Sequence, residues 1–76
     1  MSSPIGYDGL SHLQVGSQVE YKAGQGNHRV EASVTVTKKP GSTGVFVTVN
    51  TIHSKGTSVR LETGNEVLAG AMELYR

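Results

Sequence analysis

Residues 29–37 alternate polar and apolar positions without a break. Val30, Ala32, Val34 and Val36 fall on one parity, and Arg29, Glu31, Ser33, Thr35 and Thr37 on the other. Successive side chains of a strand point to opposite faces, so this run predicts a β-strand with one face packed and one wet. The pattern recurs at Val45, Val47 and Val49, with Phe46 and Thr48 on the opposite face, and more briefly at Val59 and Leu61. Ile52 breaks the parity of the valines before it, which predicts a bulge, a bend or the strand end near Asn50 and Thr51.

Turn residues divide the remainder. Strands are predicted over residues 18–22, 29–38, 44–52, 57–62 and 66–69, and no stretch carries the periodicity of a ten-residue helix. Ala23 to His28 is a glycine-rich loop, and Pro40-Gly41 suits a type II turn, with Pro at i+1 and Gly at i+2. Thr63-Gly64-Asn65 reads as a tight hairpin into the last of these strands. Residues 70–76 predict a short C-terminal 3₁₀ turn and a final short strand. Residues 1–12, with Ser2, Ser3, Pro4, Gly6, Asp8, Gly9 and Ser11, predict a flexible N-terminal arm on which Ile5, Tyr7 and Leu10 are possible docking points. A single domain over residues 13–76 follows. Its expected core is Val19, Tyr21, Val30, Ala32, Val34, Val36, Val45, Val47, Val49, Val59, Leu61 and Val67, with Leu13, Met72 and Leu74 plugging the ends.

Five short strands separated by frequent turns predict a small all-β barrel or sandwich. Val15-Gly16-Ser17-Gln18-Val19 is similar to the Val-Gly-Asp-x-Val segment that opens many SH3-like small barrels of the Tudor and KOW types. Ser58 to Val67, followed by Met72-Glu73-Leu74, resembles their closing order of strand, glycine-containing hairpin, strand and helical turn. Ser17 stands where those families carry an acid, and Ala32-Ser33 where a KOW segment carries glycine. The resemblance implies a five-stranded SH3-like small barrel that works as a binding module. Type II dihydrofolate reductases share that architecture, but their Val-Gln-Ile-Tyr strand segment has no counterpart in Ser58-Val59-Arg60-Leu61-Glu62.

Composition narrows the function classes. The chain has 76 residues, no cysteine and a net charge of +1, with a pI of about 8.1. A domain this small buries only about 60% of its unfolded surface, and the usual supplements are disulfides, metals or self-association. Without cysteine, and with His12, His28 and His53 scattered, the expectation is a homo-oligomer with no metal and no cofactor. The longest apolar run, Val67 to Met72, is far short of the ~20 residues that span a bilayer, so no membrane partner is expected. With no secretory leader pattern at the N-terminus, a cytoplasmic location is expected.

The candidate chemistry is that of binding. Gly24-Gln25-Gly26 precedes a strand rather than a helix, so it is a hairpin loop and not a phosphate cradle. His28 and His53 read as loop residues. Glu20, Glu31 and Glu62 occupy outward strand positions, where cross-strand pairing with Lys22, Arg29 and Arg60 explains them. No pair of carboxylates sits in an evident cleft, so catalysis is not expected. Four aromatic residues are too few for a methyl-lysine cage. The basic residues Lys38, Lys39, Lys55 and Arg60 suit phosphate contacts, and Phe46 and Tyr75 are the stacking candidates for nucleic acid. The alternative is a protein-interaction or assembly module, such as a phage or mobile element carries, binding through a strand edge or an apolar patch.

Overall fold

The unbroken alternation forms strand β2 (Val30–Val36), whose inward residues Val30, Ala32, Val34 and Val36 are buried. The computed structural model describes residues 4–76. Strand β1 (Gln18–Ala23) precedes β2, and β3 (Gly44–Lys55), β4 (Glu66–Gly70) and β5 (Leu74–Tyr75) follow it. The sheet order is β4-β3-β2-β1-β5, antiparallel throughout, so four strands meander and the fifth returns to the first. The sheet curls into a half-barrel, giving an all-β, barrel-like domain. One short helix, α1 (Gly6–Leu10), and 3₁₀ turns at Gly26–His28 and Ala71–Glu73 complete the described residues.

The curl has a local cause in β3. Val34 pairs with Val49, Ser33 with Thr51, Ala32 with Ile52 and Glu31 with Ser54, so Asn50 and His53 are each one residue extra against β2. Each extra residue bends the strand and increases its twist. The first bulge also returns Ile52 to the inward face, where it packs against the core. The parity break visible in the sequence is therefore a bulge, not the strand end.

Buried apolar residues come from every layer: Ala32, Val34 and Val36 of β2, Val45, Val47 and Val49 of β3, Ala69 of β4, Ala71 and Leu74. Val19, Tyr21, Leu13, Leu61 and Val67 are half-buried against them. Val30 is buried but outside the main cluster, and two further expected members fall outside. Met72 is exposed, because the tight 3₁₀ turn aligns Ala71 with Leu74, three residues on, and leaves Met72 on the other side. Val59 is half-buried but stands apart from the core cluster.

The strand expected over residues 57–62 does not form. Val49 donates to the Asn65 carbonyl at 2.9 Å, so β3 passes directly to β4 and residues 56–65 make an excursion between them. The excursion is tied to the loop before β2, Gly56 N–H donating to the Arg29 carbonyl and Ser58 N–H to Asn27, while Val59 N–H donates to Gly56. Gly56 passes so close to Asn27 that a Cβ would collide with its carbonyl, which demands glycine there. The short Val59–Leu61 alternation reflects Leu61 turning inward from a loop. Gly64 does occupy the i+2 position of a tight turn, with φ of 88° and Asn65 N–H donating to the Glu62 carbonyl. Gly41, in contrast, does not take the positive φ of a type II turn; its N–H reaches the Gly44 carbonyl at 2.8 Å and residues 37–43 form a wide loop.

The expected flexible arm is corrected from Pro4 onward; residues 1–3 lie outside the described residues. Ile5 and Leu10 are buried in the core, while Tyr7 is exposed. Pro4 bridges Tyr75, and the Ile5 N–H donates to the Leu74 carbonyl at 2.8 Å. This segment therefore lies along the outer edge of β5. The apolar residues won over the Gly- and Ser-rich composition because Ile5 and Leu10 fill the open side of the half-barrel.

Tyr21 pairs with Ala32 on one side and Leu74 on the other. Burial, with the Glu73 carboxylate as a second cause, holds its phenol above the ordinary value of 10.0. The folded chain therefore holds that proton more tightly than the unfolded chain. Its contribution is intact below about pH 10 and is lost as pH rises through the ordinary value toward the folded one. Tyr21→Phe is expected to flatten the alkaline fall in stability, measured as urea midpoints from pH 8 to pH 11 (about the range in which tyrosine titrates). Identical alkaline slopes would remove this assignment.

Candidate functional site

Three surface features of the domain carry polar or exposed apolar clusters, the first on the polar face of the sheet. The two bulge residues both reach back across it. Asn50 Nδ2 donates to Thr35 Oγ1 at 2.6 Å, and His53 Nε2 lies 2.7 Å from Ser33 Oγ. Ser33 Oγ is also 3.1 and 3.2 Å from the two carboxylate oxygens of Glu20. His53 is thus a strand residue placed by a bulge, not the loop residue its sequence neighbours suggest. The Ser-His-Glu grouping does not have the connectivity of a hydrolase triad. Glu20 approaches the same ring nitrogen as Ser33, at 3.6 Å, whereas a triad acid orients the imidazole through the other nitrogen. With Ser33 bonded to Glu20, its hydroxyl accepts from His53 and is not activated by it. The cluster links three strands, and at half exposure it is worth little in energy.

The basic and aromatic candidates divide among three places. Lys38 lies over the Phe46 ring, 4.8 Å from its centroid, and 3.6 Å from Glu66 Oε1, while Thr37 Oγ1 donates to the other oxygen of that carboxylate at 3.0 Å. Lys39 lines the adjoining cleft. Lys55 is at the far end of β3, separated from Phe46 by about 30 Å of strand contour at the usual rise per residue. Its ammonium donates to the Leu61 carbonyl at 3.2 Å, and Arg60 is exposed on the same excursion. Tyr75 is on β5, with Lys22 5.0 Å above its ring. Only Lys38, Lys39 and Phe46 are brought together. Of the ion pairs expected along the strands, Arg29 to Glu31 is present at 3.1 Å.

The third feature is the edge formed by β4. Phe46 and Leu68 stand directly opposite each other on β3 and β4, and both are exposed, Leu68 by 61%. The Phe46 carbonyl accepts from Thr37 on β2. By the alternation of an antiparallel ladder, Phe46 and Leu68 are then a non-hydrogen-bonded pair, whose side chains approach closely. The same alternation turns the N–H and C=O of Leu68, and those of Glu66, away from β3. Among the described residues nothing pairs with them. At Gly70 the outward N–H is already used, donating to Glu73 Oε1 at 2.8 Å. The opposite edge of the sheet is covered by Pro4 and Ile5, so the two edges are not equivalent. Beside the open edge lies a cleft of about 530 Å³, bounded by Lys39, Phe46, Leu68, Gly70 and the wide loop. An exposed Leu–Phe pair, free backbone groups and flanking lysines together suit an extended polypeptide.

Leu68 was not singled out from sequence, although the signal was present. Once Val67 is placed inward in its strand, alternation puts Leu68 on the solvent face, where a leucine has no packing role. Comparison with family models, with curated proteins and with solved structures gave no match for this chain.

Proposed function

We propose that this chain is a protein-interaction module that binds an extended segment by adding a strand to β4. One observation carries this reading: the outward backbone groups of Glu66 and Leu68 are open beside the exposed Phe46–Leu68 pair, while the other sheet edge is covered. Main-chain hydrogen bonds would supply about 0.5–1.5 kcal/mol each and the apolar pair the remainder. An SH3-like small barrel in a cytoplasmic setting is part of the same proposal; the glycine turn, β4, helical turn and β5 support the barrel type, although the strand expected before that turn is replaced by the excursion over residues 56–65. Nucleic-acid binding ranks second. Lys38, Lys39 and Phe46 favour it, but Lys38 is already engaged with Glu66, and Lys55, Arg60 and Tyr75 lie elsewhere.

The test is a photo-crosslinking residue at position 68, with the same residue at Val15, another exposed apolar position, as control. A discrete protein adduct is expected at 68 and not at 15, and the captured protein, once purified, should lose binding to a Leu68→Lys variant. Capture of nucleic acid at 68, or equal labelling at both positions, would overturn the reading.

A further inference from the structure

The occupant of the β4 edge can be read from its own sequence, given the edge-binding reading above. We infer that it is β4 of a second copy, paired antiparallel about a two-fold axis at Leu68. Glu66 and Leu68 present both N–H and C=O, while at Gly70 the N–H is held by Glu73 and the C=O is the N-cap acceptor of the 3₁₀ turn, which ends the set. A two-fold at Leu68 gives reciprocal bonds between the two Leu68 residues, and the side chains select this register over its neighbours.

Side chains agree with that register. Paired residues of neighbouring strands share a face, so the two Leu68 side chains meet with a Phe46 behind each, forming one apolar strip across the junction. Glu66 falls opposite a glycine, not opposite its own copy, so no like charges face each other. Lys39 and Gly70 line the same cleft, which puts Lys39 of one copy beside the incoming Glu66 of the other. Glu66 keeps Lys38 and Thr37 of its own copy, so Lys39 of the other copy adds a second cation beside that carboxylate. Moving the axis by one residue, to Val67, would set each Glu66 carboxylate against a Leu68 side chain and break both features. A strand edge that matches itself in hydrogen bonding, apolar contact and charge fits an isologous dimer, in which the two sheets become continuous.

The chain contains no cysteine, which makes a crosslinking test clean. In this register the two Leu68 Cα atoms lie about 5.5 Å apart, within disulfide reach. The Leu68→Cys variant is expected to form a disulfide-linked dimer under mild oxidation at least about tenfold faster than Met72→Cys, an equally exposed position off the edge. Sedimentation equilibrium of the unmodified chain should show a dimer. Leu68→Lys and Lys39→Glu should each raise its dissociation constant about tenfold or more with an unchanged circular-dichroism spectrum. A chain that is monomeric up to about 1 mM, or a dimer insensitive to Leu68→Lys, overturns the inference. A monomer that still captures a different protein at position 68 overturns only the second copy and leaves the edge reading standing; no adduct at 68 removes both.

Discussion

Val47→Asp is expected to abolish cooperative folding at neutral pH. Val47 is fully buried on β3, paired with Val36 on β2 and Val67 on β4. The substitution forfeits about 1.5–3 kcal/mol of apolar burial and places a carboxyl where no donor awaits it, at a further ~2–7 kcal/mol. A chain of this length has a total stability of roughly 4–11 kcal/mol at the usual per-residue value, so the combined loss removes most or all of it. The buried acid would also resist ionisation. Its folded pKa lies above the unfolded one, and partial recovery is expected as pH falls to about 4. Thr51→Asp, on the exposed face of the same strand, should change stability by no more than about 0.5 kcal/mol. Thermal melts followed by circular dichroism at both pH values decide it. A cooperative Val47→Asp melt near that of the parent chain would mean that the valine face is not the core.

Leu10→Ala is expected to cost about 2–5 kcal/mol. Leu10 is 1% exposed and is among the largest fully buried side chains, although it comes from the short helix α1 outside the sheet. The helix is too brief to persist alone, so its order rests on Leu10 and Ile5 entering the half-barrel. Tyr7→Ala, in the same helix but exposed, should change stability by no more than about 0.5 kcal/mol. Urea denaturation of the two variants compares them directly. Equal midpoints would show that α1 contributes nothing to the core and that the segment is an appendage after all.

The strands legible in the sequence were those whose partners merely confirm a local pattern. Alternation over residues 29–37 and 44–49 assigns faces without knowledge of the fold, because a half-buried strand imposes its period on the residues themselves. The same rule flagged Ile52, whose inward position requires one inserted residue. A three-residue alternation at Val59–Leu61 carries too little of this information. It is equally compatible with a loop that dips once into the core, and β3 pairs with β4 without it. The arm failed for a related reason. Composition describes the chain between anchors, whereas Ile5 and Leu10 are ordered by a cavity assembled from residues far away in sequence.

The functional surface divides along the same line. Lys38, Lys39 and Phe46 could be named as candidates from residue type, and Leu68 was predictable as an outward leucine on an assigned strand. Their adjacency depends on the pairing of β3 with β4 and on the wide loop that Gly41 makes in place of a tight turn. Lys55, Arg60 and Tyr75 have the same chemistry but are separated by the length of β3 and by the width of the sheet. Side-chain period, turn residues and the absence of cysteine are local properties, and they established an all-β chain with a valine-lined core. Strand order and edge coverage are long-range properties, set by which buried surfaces close on one another. They left β4 open, covered β5, and brought His53 against Ser33 and Glu20 through a bulge that no local pattern encodes.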